Sequence, residues 1–186
     1  TMSVRVSRFE MPKRVAKDEA TATPTYARFA AEPFEIGYAR TIGNSLRRVL
    51  LSSIEGIAIT AIRLKGASHE FCSLPGVAED VTDIILALKQ VLIKAHGRAP
   101  SSISIRRKGP CPITAGDFET TSAIQIVNPE LPIATVGEDG EFELEADIAT
   151  GRGFHPAEWN KSDDHDIGVI TIDSIFSPVT RVNFQV

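Results

Sequence analysis

EPFEIGYARTIGNSLRRVLLSSIEG, residues 32–56, decides the fold. Within it Ile42, Leu46, Val49 and Leu50 recur at i, i+4, i+7 and i+8, the spacing that gathers apolar side chains on one face of an α-helix. Glu55-Gly56 then offers a left-handed cap to close that helix. Immediately beyond, IAITAIRLK at 57–65 alternates in period two with branched residues and predicts a strand.

Working outward, residues 1–25 are charged and Thr/Ala-rich, with Pro12 and Pro24, and read as an extended lead-in to a strand at Tyr26–Ala30. On the other side, Glu70–Cys72 offers a short strand partner. Pro75-Gly76 precedes a second helix expected from Val77 to about Ala95, with Val77, Val81, Ile84, Ile85, Leu88, Val91 and Leu92 as its apolar stripe and Gly97 ending it. Alternating runs follow at 102–108, 122–127, 141–147, 168–173 and 179–185, and GEDG at 137–140 is a hairpin signal. Helices come early and strands follow, which predicts an α+β fold rather than a βαβ series.

The chain has 186 residues, 42% hydrophobic and 24% charged, a composition that excludes a wholly disordered or collagen-like polymer. Its longest apolar runs, such as Ile84–Leu88, are far shorter than the roughly 18 residues a membrane-spanning helix needs, and no membrane partner is expected. Arg5, Arg8, Lys13 and Arg14 are not followed by the apolar region of a secretory signal. Two cysteines, Cys72 and Cys111, in no metal-like spacing fit reduced thiols and a cytoplasmic location. Thr1 ahead of Met2 fits either a tag scar or a cut from something longer, and the strand-like Val179–Val186 at the other end fits a domain cut short. Residues 1–65 carry 11 Lys+Arg against 6 Asp+Glu, whereas the overall charge is −4, so the remainder is strongly acidic. That polarity argues against wrapping nucleic acid, and no direct DNA contact is expected.

The residues offer no catalytic constellation. No Ser stands in G-x-S-x-G, neither Cys has an activating neighbour, and GRGF at 151–154 does not lead from a strand into a helix as a phosphate loop must. Gly151 and Gly153 read instead as backbone geometry for a turn or bulge. The one acid-rich cluster, SDDHD at 162–166, lacks the glycine and ligand ladder of a calcium loop, and a solvated loop is its plainer reading. Neither a metal nor a cofactor is expected. The alternative from a different class is a metal-dependent hydrolase using His155, His165, Asp163, Asp164 and Asp166; a third is a β-rich module that captures peptides by sheet augmentation.

The helices carry a second signal. At about 100° per residue, Leu46, Val49 and Leu50 lie within about 80° of Ile42, whereas Leu51, Asn44 and Arg48 fall at about 180–240°. A leucine one turn from an arginine, away from the main stripe, is the composition of a binding hot spot. On the second helix Leu86, Lys89 and Ile93 gather on a face of their own in the same projection.

Read in order, EPFEIGYARTIGNSLRRVLLSS, HEF at 69–71, GVAEDVTDIILALK at 76–89, GPCPITAGD at 109–117, VNPE at 127–130, GRGFHPA at 151–157 and IDSIFSPVTRV at 172–182 resemble the amino-terminal domain of the bacterial RNA polymerase alpha subunit. The resemblance implies two subdomains: a discontinuous sheet-plus-helix dimerisation subdomain, here 1–55 plus 178–186 and stopping short of the family's last helix, and a mostly β insert at 56–177. It implies a homodimer that assembles the beta and beta-prime subunits in the cytoplasm, as part of the nucleoid-associated polymerase. Arg48 and Leu51, with Asn44 beside them, match the beta-contact positions; Lys89 and Ile172 match those for beta-prime; and Ile42, Leu46, Val49 and Leu50 fall at the dimer interface. Thr150 departs from the arginine that often precedes GRG in the family.

Overall fold

A computed structural model describes residues 9–95, 102–161 and 168–186. They divide into two compact units, one comprising Thr1–Val49 with Val182–Val186 and the other Leu50–Arg181. The architecture is α+β, as the order of periodic segments predicts.

In the first unit, strands β1 (Ala16–Lys17) and β2 (Phe29–Ala30) pair antiparallel, Ala16 opposite Ala30. The lead-in is therefore partly a hairpin rather than free extended chain. The Glu35 N–H donates to the Glu10 carbonyl at 3.1 Å, and the Phe9 and Tyr38 rings meet edge to face with centroids 5.0 Å apart. Helix α1 (Tyr38–Ser52) follows Gly37, whose φ of 84° is in the left-handed region. Its other end differs from expectation. Gly56 has no positive φ, because Glu55 and Gly56 already belong to the next strand and are paired in its ladder. Val179–Val186 also differ: they form no ladder among the described residues, since alternation makes a strand only where a partner edge is available. Phe184 instead lies against Gly43, where an added Cβ would meet its ring.

The second unit is built on β3 (Glu55–Leu64) and the longer β9 (Glu141–Arg152), antiparallel throughout. Four more strands complete the sheet: β5 (Ser102–Lys108) outside β9, β4 (Ile93–Ala95) and β11 (Val169–Thr171) on the free edge of β3, and β7 (Ile124–Ile126) beyond β4. On β9, Phe142, Leu144, Ala146 and Ile148 are buried while Glu141, Glu143, Glu145 and Asp147 alternate outward. Burying each large apolar side chain of that face stabilises by about 1.5–3 kcal/mol. The outer face is laced by ion pairs, Lys65 to Glu141 and Glu143, Arg63 to Glu145, and Arg106 to Glu143.

One irregularity matters later. Ile59 pairs with Ile148 but Ala61 pairs with Asp147, so Thr60 is an extra residue in β3. The bulge leaves the Thr60 carbonyl to accept the Ile172 N–H at 3.0 Å.

A second sheet pairs β6 (Cys111–Thr114) with β8 (Pro132–Val136), and the small β10 (Phe154–His155) pairs with β12 (Ser174–Ile175). Residues 137–140 accordingly do not close a hairpin. They turn the chain out of β8, which pairs with β6, and into β9, which pairs with β3 and β5.

Helix α2 is shorter than its apolar periodicity predicts, running only from Val81 to Leu88. Before it, the Ala78 N–H donates to Thr135, Val77 bridges Val136 and Glu79 binds the Thr135 N–H and hydroxyl, so residues 77–79 are committed to the β8 edge. After it, the Leu92 N–H donates to Asn128 Oδ1 at 2.9 Å and Ile93 enters β4. The stripe itself remains: Val81, Ile84, Ile85, Leu88 and Val91 are buried, Leu92 is exposed, and Ile93 leaves the face shared by Leu86 and Lys89 because it is no longer helical. Glu70–Cys72 form turn and coil rather than a strand. Cys72 and Cys111 are half-buried against the core.

Candidate subunit-contact surfaces

Helix α1 has fifteen residues and none is buried. Its apolar stripe, expected to pack, is open: Leu46 is 54% and Val49 53% exposed, with Leu50 also exposed and Ile42 half-buried. Most helical stability in proteins comes from covering such a stripe. Across the helix, Asn44 and Arg48 are exposed and Leu51 is half-buried. Leu51 is thus better covered than Leu46, Val49 and Leu50 of the stripe it was set apart from.

The second surface gathers at the end of α2. Lys89 caps the helix, and its Nζ lies 3.1 Å from Asp173 Oδ2. The other carboxylate oxygen, Oδ1, accepts the Ala157 N–H at 2.9 Å, where the chain starts a short 3₁₀ turn at Ala157–Trp159. That backbone hydrogen bond, then Lys89, holds the Asp173 carboxyl below the usual aspartate range. Ile172 is 3% exposed and sits in the core, its N–H on the Thr60 carbonyl. On the far side of Asp173, Ser174 is 1% exposed; its hydroxyl donates to the Ile59 carbonyl and accepts from Asn160 Nδ2, both at 2.8 Å. Asn160 also donates to the Ile172 carbonyl. Its side-chain amide is therefore occupied in packing.

Helical projection singled out Lys89 and the family resemblance added Ile172, but neither pointed to Asp173, Ser174 or Asn160. Their only signal is position within IDSIFSP and GRGFHPAEWN; the contacts that give them a role join distant segments. The GRG glycines do have backbone reasons. Gly153 has φ 66°, and a Cβ on Gly151 would press into the Phe176 ring at 2.8 Å. His155, offered as a metal ligand, stands with its ring edge-on to Trp159 and Phe176, at 5.5 and 4.9 Å between centroids. His165, Asp163, Asp164 and Asp166 lie outside the described residues. Among the described residues no three His, Cys, Asp or Glu side chains are grouped to hold a metal.

Residues 59–177 match the family model of the RNA polymerase Rpb3/RpoA insert domain. The chain belongs to that family. The matched span lies within the β-rich unit and takes in the charged outer face, the Thr60 bulge and the Lys89–Asp173 pair. Similarity extends further: the DNA-directed RNA polymerase subunit alpha of Pelobacter propionicus and that of Geobacter metallireducens are each 46% identical over 175 residues, 94% of this chain and 52% of theirs. The alpha subunit of Symbiobacterium thermophilum is 48% identical over 162 residues, covering 87% of this chain and 51% of its own. The chain spans about half the length of the curated relatives it matches. Among the described residues no helix is long and apolar enough to cross a membrane.

Proposed function

We propose that this insert-domain protein is a non-catalytic assembly scaffold of bacterial DNA-directed RNA polymerase, which pairs with a second copy of itself and binds the beta and beta-prime subunits in the cytoplasm. The observation that carries the reading is α1: a helix with a continuous apolar stripe and not one buried residue, in a chain similar to alpha subunits along nearly its whole length. In this reading residues 1–55 with 178–186 serve dimerisation and 56–177 serve assembly. Ile42, Leu46, Val49 and Leu50 supply dimer area. Asn44, Arg48 and Leu51 form the anchor for beta, and Lys89 marks the side that meets beta-prime, to which the buried Ile172 belongs through its neighbour Asp173 rather than by its own side chain.

A symmetric pair carries every surface twice. Once beta occupies the α1 anchor of one copy, the same residues of the other are left for different use, so one sequence can address two partners. Apolar area with an arginine at its edge is the composition of an affinity-determining patch. The deciding experiment is Arg48→Ala in a pull-down with the beta subunit. Loss of beta with an unchanged circular dichroism spectrum and melting temperature is expected; retained beta would overturn the assignment of the anchor.

A further inference from the structure

We propose that Asp173 is a positioning residue for Lys89: it holds the ammonium in one place and cancels its charge, so that the surface offers a partner a directed hydrogen-bond donor rather than a bare cation. This rests on the reading of Lys89 as a beta-prime contact and adds a residue and a recognition chemistry to it.

Asp173 has little freedom of its own. Ile172 before it and Ser174 after it are both buried and both tied to the bulged part of β3, through the Thr60 and Ile59 carbonyls. One carboxylate oxygen is fixed on the Ala157 N–H, leaving the other aimed at Lys89 Nζ. Lysine ordinarily loses considerable side-chain freedom when a partner orders it, a cost that weakens binding. Here that ordering precedes the partner, and the Lys89 side chain is only 25% exposed.

The chemistry of the partner group follows. An ammonium has three N–H donors, of which Asp173 takes one direction and the others remain. A partner carboxylate approaching them would meet the Asp173 charge beside Lys89. A neutral acceptor, such as a main-chain carbonyl, meets no such repulsion. Lys89 then contributes affinity that depends little on salt, because the pair has no net charge to be screened.

The test is titration of the full chain with beta-prime at about 0.05 and about 0.3 M salt, using Asp173→Asn, Lys89→Met and the double variant. Lys89→Met is expected to weaken binding about tenfold at both salts. Asp173→Asn, which keeps an acceptor for Ala157, unmasks the ammonium and makes binding more salt-dependent than in the parent. The double variant should bind like Lys89→Met alone. Additive losses, or an Asp173→Asn salt profile identical to the parent, would overturn the positioning role. In the free chain, acylation of Lys89 followed by mass spectrometry should be several-fold faster in Asp173→Asn; an unchanged rate while Lys89→Met weakens binding would remove the positioning role alone. Parent-like binding by Lys89→Met would remove both it and the contact.

Discussion

Gly56 and Gly151 face each other directly across β3 and β9, and the chain at Phe176 lies over both. A Cβ on Gly56 would overlap the Phe176 carbonyl oxygen, while one on Gly151 would meet the Phe176 ring. The Phe176 N–H donates to the Gly153 carbonyl at 2.8 Å, fixing the crossing. Two missing side chains thus let a returning segment sit on the end of the sheet.

The two glycines should respond unequally to alanine. A ring can turn aside, but a main-chain carbonyl held by its neighbours cannot. Overpacking typically costs about 1–3 kcal/mol, and Gly56→Ala should fall at the upper end with Gly151→Ala below it. Urea unfolding of the two variants checks the order; equal losses would mean that the crossing yields as a unit.

Asn128 does the work of a strand partner for the link between α2 and β4. Its Oδ1 accepts the Leu92 N–H and its Nδ2 donates to the Gln90 carbonyl at 3.0 Å. Asn128→Ala leaves both main-chain groups to water at a partly exposed site, so the expected loss is about 0.5–1.5 kcal/mol. Hydrogen exchange at the Leu92 amide should quicken more than exchange in β9.

Asp117 gives the stability a defined acid dependence. Burial works to raise its pKa, but the Thr114 N–H and the Arg107 guanidinium, 2.6 Å away, outweigh it and hold the carboxyl below the usual value. A carboxylate depressed in the folded state stabilises above its unfolded pKa, about 3.9, and that contribution is lost as pH falls through the lower folded value. Asp117→Asn should therefore be less stable than the parent at pH 7, with the gap closing only below about pH 4. A gap that stays constant down to strong acid would show that the charge contributes nothing.

If the open stripe of α1 is a pairing surface, a charge in its middle should dissociate the pair. Leu46→Glu is expected to lower the mass seen by light scattering to that of one chain, with the β-rich unit still melting cooperatively. An unchanged oligomer would show that the stripe is not where copies meet.

The parts legible in the sequence are those set by local periodicity. The α1 stripe and the β5 and β9 alternation can be read from neighbouring residues, and the structure has them as helix and strands at those positions. The ends of α2 are not legible, because the β8 edge, far along the chain, holds residues 77–79 before the helix, and Asn128 takes the Leu92 N–H that a longer helix would have used. Lys89 is readable as a residue off the main stripe. Its tether to Asp173 is not, since that geometry depends on one extra residue at Thr60 and on where it sends a carbonyl. Val179–Val186 mark the opposite failure: Val182, Phe184 and Val186 alternate but find no edge to join among the described residues.

The central strand has a consequence for biosynthesis. β3 finds its first ladder partner, Ile93 in β4, only after α2, its main partner in β9 at Leu144–Arg152, and its last in Val169–Thr171. Pairings so remote in sequence make folding slow and expose apolar strand edges meanwhile. On the ribosome, residues 55–64 emerge early and wait through the synthesis of roughly a hundred further residues before their ladders are complete. During translation this strand therefore keeps its apolar edges exposed, and slowing elongation before β9 should lower the yield of folded protein more than slowing it after β11.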